Sequence, residues 1–438
     1  MDTSRLVRRL NRVVDVRPHE AGALLWAFVY FFCLLSSYYI LRPLRDEMGV
    51  AAGVSKLQWL FTVTFIVMLA AIPVFGVLVA RYPRRRFVPW VYRFFTLNIV
   101  LFYLWFRVDP SGVPAARTFF VWVSVFNLFV VTVFWGFMAD LFSFEQGRRL
   151  FGFIAAGGTA GALAGPSVAA TLAVPLGPLN LLLVSAVLLE CATGCVRRLM
   201  RAAEPDTGGE RQALSSAGAA VGGGMLAGLT EVLRSPYLAM ICAHVLLLSL
   251  TNTFLYFQQA GIVAGAFDNP AERTRVFALI DLSVGLITLV VQLTLTGRVI
   301  ARFGTGPALA ALALVTGVGF AALALAPVLL TLIAFQSLKR ATEFSLANPA
   351  RETLFTVVTR AQKYKSKSFI DTAVFRGGDA ASGWVYTGLR GAGLDFTGID
   401  WIAVPVAAVW AGVLLKLARM QAALAGGAKQ TENTDEIR

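Results

Sequence analysis

Long apolar segments recur along this chain, and they limit most strongly the folds that it can adopt. A helix needs about 20 apolar residues to cross the hydrocarbon core of a bilayer. Only 15% of the 438 residues are charged, against about 25% in an ordinary soluble protein. The sequence therefore predicts an all-α polytopic membrane protein. Its twelve predicted spans lie near residues 21–41, 57–80, 87–107, 116–142, 150–174, 178–200, 237–262, 273–298, 306–325, 327–349, 367–392 and 398–420.

The distribution of basic residues predicts the orientation of these spans. Basic clusters follow predicted spans 2, 4, 6, 8 and 10, all on the side that also carries the N-terminus. Cytoplasmic loops carry the excess of Lys and Arg, so both termini are predicted to be cytoplasmic. This topology explains the net charge of +14 without a nucleic-acid partner. Arg42 and Arg45, directly after predicted span 1, break the pattern, and we expect them to be drawn into the protein or to be functional.

Two halves of similar organisation are indicated by repeated features. Gly157-Gly158-Thr159-Ala160-Gly161 corresponds to a second small-residue run that starts at Gly377, about 220 residues later. Two six-span halves match the parallel-repeat plan of the major facilitator superfamily. The small residues from 157 to 165 favour tight helix packing over ligand contact. The predicted parts are an amphipathic cytoplasmic N-terminus (1–20), a six-helix bundle (21–200), a cytoplasmic linker (201–235), a second six-helix bundle (236–420) and a disordered cytoplasmic tail (421–438).

Charged residues inside the apolar second half point to a functional site. Each charge at the centre of a lipid-facing helix would cost roughly 3 kcal/mol, so these residues should pair or face a wet cavity. Three pairs of opposite charge are three or four residues apart and would share a helix face. The pairs are Lys339 with Glu343, Lys367 with Asp371, and Arg376 with Asp379. The excess of basic residues predicts an anionic substrate.

Other kinds of site have little support in the sequence. Cys191 and Cys195 lack a second pair of metal ligands, and His19 and His244 are far apart. There is no phosphate-binding P-loop, nucleophile elbow or paired-histidine motif. We therefore expect no metal, no cofactor and no enzymatic activity. The first apolar run starts about twenty residues in and lacks a small-residue cleavage site, so we expect no cleavable signal peptide.

Four charged and aromatic motifs follow one another in a fixed order. They are YYILRPLRD at 38–46, FWGFMAD at 134–140 followed by EQGRRLF at 145–151, FSLANPARE at 344–352, and KYKSKSFID at 363–371 followed by Arg376. Their order and spacing resemble the Tlc-type ATP/ADP antiporters of plastids and obligate intracellular bacteria. The resemblance extends over the whole chain, which looks like a relative of this family from a free-living bacterium.

The resemblance implies a twelve-span transporter that exchanges adenine nucleotides across the bacterial inner membrane. The family's transport-essential basic residue in span 1 corresponds to Arg45, its acidic residue after span 4 to Glu145, and its span 11 lysine to Lys367. The chain also departs from the family pattern. Arg45 and Arg351 replace lysines, which changes the geometry of the charge, and Asn348 replaces an acid.

Several cations must surround nucleotide phosphates, because no single charge offsets their desolvation. Aromatic rings would provide a wall for the adenine. The predicted substrate-binding residues are Arg42, Arg45, Lys339, Arg340, Lys367, Tyr39 and Trp135. The residues predicted to pair with these charges or to act in gating are Asp46, Glu145, Glu343, Asp371, Arg376 and Asp379.

Two other functions fit the same residues. The first is an ion-coupled transporter of another organic anion, with a proton carried by Asp281, Glu343, Asp371 or Asp379. The second is a membrane receptor or accessory subunit that transports nothing. The expected partners are an anionic small molecule and the lipid bilayer, with no nucleic acid, and we expect the chain to be a monomer.

Overall fold

The computed structural model describes residues 16–81, 84–110, 112–202 and 225–436, and these residues are almost entirely helical. Most of the predicted amphipathic N-terminus lies outside the described residues, as does most of the predicted linker. The helices are α1 (Ala21–Ala51), α2 (Leu57–Arg81), α3 (Arg84–Val108), α4 (Val113–Leu141), α5 (Phe144–Leu176), α6 (Asn180–Ala202), α7 (Met225–Arg234), α8 (Pro236–Ala266), α9 (Pro270–Val291), α10 (Gly297–Phe303), α11 (Thr305–Leu325), α12 (Leu329–Thr342), α13 (Asn348–Leu354), α14 (Arg360–Phe369), α15 (Phe375–Gly391) and α16 (Phe396–Glu436).

Ten helical segments within the described residues are long and apolar enough to cross a membrane. The all-α membrane fold is therefore confirmed, whereas the number of twelve spans stays a prediction. The predicted spans 327–349 and 367–392 are not among the ten. Both are helical, but each contains several charged residues and a π-helical turn that divides it into shorter α-helices.

The chain forms two compact units. The first consists of Met1–Val54, Ile66–Ser215 and Phe267–Leu282, and the second of Ser55–Phe65, Ser216–Ala266 and Ser283–Arg438. We predicted two continuous halves. In the structure, one short segment of each half instead belongs to the unit of the other half. The start of α2 belongs to the second unit and the start of α9 to the first. These are the second predicted spans of the two halves, so the exchange itself repeats between them.

Helix α1 is the centre of the first unit and packs against α5 and α6. Glycines on α5 allow this close approach. A Cβ atom at Gly157 would lie 2.5 Å from the carbonyl oxygen of Phe28, and one at Gly161 would lie 2.5 Å from that of Phe32. The prediction that small residues serve helix packing is confirmed. On the other side of α1, the Ser37 and Ser185 hydroxyl groups lie 2.8 Å apart, and each also donates to the other residue's carbonyl oxygen at 3.0 Å.

Polar contacts attach the beginning of α1 to the beginning of α5. Arg149 donates to both carboxylate oxygens of Glu20, at 2.9 and 3.3 Å, and Gln146 donates to one of them at 3.0 Å. Burial by itself raises the pKa of Glu20, but the hydrogen bonds from Arg149, the Arg17 backbone and Gln146 outweigh it, so the pKa is lowered. Glu20 is thus held as a carboxylate just before the first span.

The second unit is built around α8, which packs against α15 and α16, while α11 packs against α16. Its core contains Trp410, which is fully buried and donates from Nε1 to His244 at 3.0 Å. The start of α2 packs here as well. Trp59 meets Trp384 edge-on at 4.8 Å, and Phe61 lies 5.6 Å from Phe257.

Three π-helical turns interrupt helices of the second unit. They are Gln292–Thr296, Glu343–Ala347 and Ile370–Val374. A π-turn has i to i+5 hydrogen bonds, and such turns occur frequently at functional sites. The first two contact each other, because Thr296 donates from Oγ1 to the Ser345 carbonyl at 2.9 Å.

Helix α7, Met225–Arg234, lies within the predicted linker, whose role as a connection between the halves stays a prediction. The prediction for the end of the chain needs correction. Helix α16 continues to Glu436, so the residues from Gln421 to Glu436, which we expected to be disordered, are helical. Alanines at positions 422, 423, 425 and 428 explain this, because alanine has the highest helix propensity.

Candidate functional site

The basic residues of the first motif lie inside a helix. We expected span 1 to end near residue 41, but α1 continues to Ala51, so Arg42 and Arg45 are within it. The Arg42 side chain is 20% exposed, and its Nε lies 3.5 Å from the carboxylate of Asp281. Its guanidinium also lies 5.9 Å from the centre of the Tyr39 ring. For Arg42, the expectation that it is drawn into the protein is met by pairing with a distant acid.

Arg45 occupies a different environment one turn later. Its guanidinium stacks over the Phe120 ring at 4.2 Å, and it lies 3.6 Å from the carboxylate of Asp46. The side chain is 18% exposed, and its Nε is buried without a hydrogen-bond partner. An arginine held by a ring and by a neighbouring carboxylate keeps N–H groups for a further acceptor. Such a guanidinium suits bidentate recognition of a phosphate or carboxylate.

Glu47 of α1, the residue after Asp46, belongs to an ion pair that was not predicted from the sequence. Arg273 of α9 donates to both oxygens of Glu47, at 2.7 and 2.8 Å, and Glu47 is fully buried. Arg273 also donates to the carbonyl oxygens of Phe267 and Asp268. The available signal was the acid that directly follows the first motif, but its partner lies 226 residues away.

The remaining predicted residues of the first unit lie elsewhere on its helices. Trp135 packs in a cluster of rings, with Phe31 at 5.5 Å, Phe134 at 5.2 Å and Phe151 at 5.6 Å. Glu145 is exposed in the first turn of α5. Neither residue is in the contacts of Arg42 or Arg45 described above, so their roles in binding and gating stay predictions.

In the second unit, Lys339 is the most buried basic residue of the predicted site, with 0% exposure. Its ammonium donates to the side-chain oxygen of Asn252, and Asn252 donates in turn to Glu343 at 3.4 Å. Lys339 and Glu343 therefore do not form the direct pair that their spacing predicted. Within the described part of the chain, no carboxylate lies within ion-pair distance of the Lys339 ammonium. Asn252 is a site residue that the sequence analysis missed, because an uncharged amide in an apolar helix gave no signal.

A second amide contact lies beside Lys339 on the same helices. Gln336 of α12 donates to Gln259 of α8, and both side chains are buried. Arg340, the next residue after Lys339, has its guanidinium 5.9 Å from the Phe344 ring. The two helices thus face each other with polar side chains in an otherwise apolar unit.

The charges around the third and fourth motifs pair across motifs rather than along one helix. Lys367 binds Glu352, and Arg351 lies 3.5 Å from Asp371. The predicted pairing of Lys367 with Asp371 is therefore wrong. The exposures of Arg351 and Glu352 are unequal, because the Arg351 side chain is 18% exposed and that of Glu352 is 51% exposed.

The third predicted pair is confirmed. Arg376 lies 3.6 Å from Asp379, with the expected spacing of three residues. Ser249 of α8 donates to Asp379 at 2.5 Å and lies 3.2 Å from the Phe375 carbonyl oxygen. Asp379 is 8% exposed, so the hydrogen bond from Ser249 fixes α15 against α8 at a buried position.

Comparison with known proteins agrees with this architecture. Residues 23–338 match the Major Facilitator Superfamily. The ADP,ATP carrier protein 1 of Chlamydia trachomatis is 23% identical, over 95% of this chain and 92% of that protein. The protein of the same name from Chlamydia muridarum is also 23% identical, over 85% and 83% of the two chains.

Solved transporter structures share the fold at low sequence identity. The nucleoside transporter NupG has a TM-score of 0.58 at 14% identity, covering 93% of this chain and 98% of its own. A bacterial homologue of the iron transporter ferroportin, solved in an inward-facing state, has a TM-score of 0.61 at 12% identity, covering 91% and 98%. The family match covers more than half of the chain, and the helices, buried charges and relatives agree with it. The chain is a membrane transporter and belongs to the Major Facilitator Superfamily.

Proposed function

We propose that this transporter exchanges adenine nucleotides across the inner membrane of a bacterium by alternating access, with both termini in the cytoplasm. The names of the two chlamydial relatives, ADP,ATP carrier protein 1, support this cargo. The positive-inside pattern of the loops supports the orientation. Both relatives align with more than four fifths of the chain, so the similarity extends over both halves.

The observation that carries the proposal is the environment of Lys339. A fully buried ammonium normally has a carboxylate partner, because an unpaired buried charge is strongly unfavourable. Lys339 instead contacts the neutral amide of Asn252 and faces Glu343 only across that amide. A buried cation without a direct counter-ion is suited to an anionic substrate that arrives and leaves.

Within the first unit, the arginines of α1 carry groups that would recognise phosphate. Arg42 and Arg45 offer planar N–H groups for bidentate contacts. Each has an acid nearby, Asp281 for Arg42 and Asp46 for Arg45. These acids would hold the guanidinium groups while no substrate is bound and release them when phosphate competes.

Exchange rather than one-way movement follows from the excess of cations. An empty site with several buried charges is costly to move through the apolar part of the membrane, whereas a site filled by a nucleotide is largely neutral. After it releases a substrate on one side of the membrane, the transporter therefore returns only when it has bound another substrate on that side.

The test is uptake of labelled ATP into proteoliposomes that contain the purified protein, with and without ADP inside. We expect uptake only with internal ADP, and loss of uptake in Arg45→Ala and Lys339→Gln. Arg45→Lys keeps the charge and restores the family's residue, so it should retain part of the activity. Arg93→Gln is the matched control, because the Arg93 side chain is 55% exposed and lies 3.9 Å from an exposed Glu190.

Uptake that does not require internal ADP would contradict exchange. No uptake by protein that is folded in the same vesicles would contradict the nucleotide cargo. If Arg45→Ala and Lys339→Gln transported ATP as well as Arg93→Gln does, the proposed binding residues would be wrong even with the cargo correct.

A further inference from the structure

A buried carboxyl group near the start of α16 is separate from the charged clusters described above. Asp400 has 0% exposure. Gln258 of α8 donates from Nε2 to its Oδ1 at 2.8 Å and to the Phe396 carbonyl oxygen at 3.0 Å. The other carboxyl oxygen, Oδ2, is buried without a hydrogen-bond partner. Within the described ranges, no basic side chain lies within ion-pair distance of this carboxyl group.

This environment does not suit an ionised carboxylate. A carboxylate loses its hydration on burial and needs cations or several N–H donors in return. Asp400 receives one hydrogen bond from a neutral amide. A proton on Oδ2 removes the charge and also gives that oxygen a hydrogen to donate, so protonation resolves both deficits together.

Acceptors for such a proton are present at the same place. The side-chain oxygen of Gln258 and the hydroxyl group of Tyr386 are both buried without partners. Tyr386 of α15 is 4% exposed and packs its ring against Phe257, the residue before Gln258, at 4.9 Å. Asp400 is close enough to Tyr386 to act on it electrostatically. Three unpartnered buried oxygens therefore belong to one small polar region between α8, α15 and α16.

The surrounding charged groups do not compensate Asp400. Arg390 of α15 donates to the Leu394 carbonyl oxygen, and Asp395, before α16, is exposed. At the other end of α15, the arginine and aspartate described above pair with each other. On α8 the titratable residues are Tyr237, Cys242, His244 and Tyr256. His244 accepts a hydrogen bond from Trp410, and Tyr237 donates to the Leu354 carbonyl oxygen. Helix α11, which packs on α16, contains no charged residue.

The same contacts favour a proton over a metal ion. Hard cations such as Ca²⁺ and Mg²⁺ take six or more oxygen ligands. The Gln258 amide group already donates to Asp400 Oδ1 and to the Phe396 carbonyl oxygen. Those two oxygen atoms therefore already accept hydrogen bonds. The remaining oxygen atoms are too few to coordinate such a cation, but they can bind a single proton.

Helix α8 connects this region to the proposed substrate site. It carries Gln258, and it also carries Asn252 and Gln259, which bind Lys339 and Gln336 of α12. A displacement of α8 that changes one set of contacts therefore affects the other. We propose that Asp400, with Gln258 and Tyr386, forms a proton-binding site, and that its proton is taken up and released in step with transport. This goes beyond nucleotide exchange and does not depend on the identity of the cargo.

Infrared spectroscopy tests the proton site without any substrate. Protein reconstituted in lipid and labelled with ¹³C in its aspartate carboxyl groups should show, at neutral pH, the carbonyl stretch of a protonated carboxylic acid, shifted by the label. This signal should be lost in Asp400→Asn and kept in Asp395→Asn, which removes a nearby exposed acid. Absence of the signal in the folded natural protein, or its persistence in Asp400→Asn, would overturn the proposal.

Transport measurements test the coupling. An inward proton gradient should increase nucleotide uptake into vesicles loaded with ADP, and the ratio of uptake with and without the gradient should fall to unity in Asp400→Asn but not in Asp395→Asn. An unchanged ratio in Asp400→Asn, or a sodium gradient that replaces the proton gradient, would overturn the assignment. If nucleotides were not the cargo, the infrared measurement would still decide whether the proton site exists.

Discussion

At the scale of single residues, the neutral side chain of Asn252 lies between Lys339 and Glu343 and binds both of them. Asn252 accepts a hydrogen bond from one and donates to the other, and both charged side chains are almost fully buried. Each charge is therefore partly compensated by the other across the amide. Removal of either one leaves a buried charge without its opposite, which is more unfavourable than removal of both.

This arrangement predicts a separation of stability from transport. Lys339→Gln and Glu343→Gln should each lower the melting temperature in detergent, and the double variant should be more stable than the sum of the single effects, by about 0.5–3 kcal/mol. Its transport should stay absent, because the ammonium for the substrate is missing. Strictly additive effects on stability would show that Asn252 does not couple the two charges. Recovery of uptake in the double variant would exclude Lys339 as a substrate-binding residue.

At the scale of helices, glycines on α5 set the distance to α1. A Cβ atom at Gly161 would lie 2.5 Å from the Phe32 carbonyl oxygen and 3.0 Å from the Ser36 nitrogen, and backbone atoms cannot move aside as a flexible side chain does. Gly152, on the same helix, has no atom within 4 Å of a Cβ position. The two positions therefore separate close packing from helix propensity.

Gly161→Ala should destabilise the protein by about 1–3 kcal/mol, the usual effect of overpacking a tight contact. Gly152→Ala should stabilise it by roughly 0.5–1 kcal/mol, because alanine is the better helix former. Thermal unfolding in detergent measures both. If the two substitutions changed the melting temperature equally and in the same direction, the contact between α1 and α5 would not be as close as the structure has it.

Helix spacing also explains which charge pairs the sequence could predict. Arg376 and Asp379 lie in a regular α-helix, and their predicted pair is present. Lys339 precedes the π-turn that begins at Glu343, and Asp371 lies within another. A π-turn contains more residues than an α-turn, so residues four apart no longer share a face across it. No sequence pattern indicated either π-turn, and the partners of these charges come from elsewhere in the fold.

At the scale of the whole molecule, the helical membrane fold was predictable, whereas the exchanged segments were not. Apolar length decides whether a segment is a span. The packing of Phe267–Leu282 in the first unit instead depends on particular long-range contacts, such as that between Glu47 and Arg273. The same kind of contact allows α1 to extend past residue 41, because Arg42 finds its acid at Asp281.

The pair of Glu47 and Arg273 should therefore hold the start of α9 in the first unit. Its two hydrogen bonds are 2.7 and 2.8 Å long, and the side chains are 1% and 13% exposed. Breaking a buried pair by removing one partner costs about 3–5 kcal/mol, because the remaining charge is left uncompensated. Glu47→Gln should thus unfold at a clearly lower temperature and show faster amide hydrogen exchange in residues 270–282.

Glu190→Gln is the matched control for this last prediction, because it breaks a 3.9 Å pair whose two side chains are about half exposed. Exposed pairs contribute 0–1 kcal/mol, so its unfolding temperature should change little. A double variant, Glu47→Gln with Arg273→Gln, should recover part of the stability that Glu47→Gln alone loses, since no buried charge then lacks a partner. Unchanged hydrogen exchange at 270–282 in Glu47→Gln would mean that apolar packing, rather than this ion pair, places the start of α9 in the first unit.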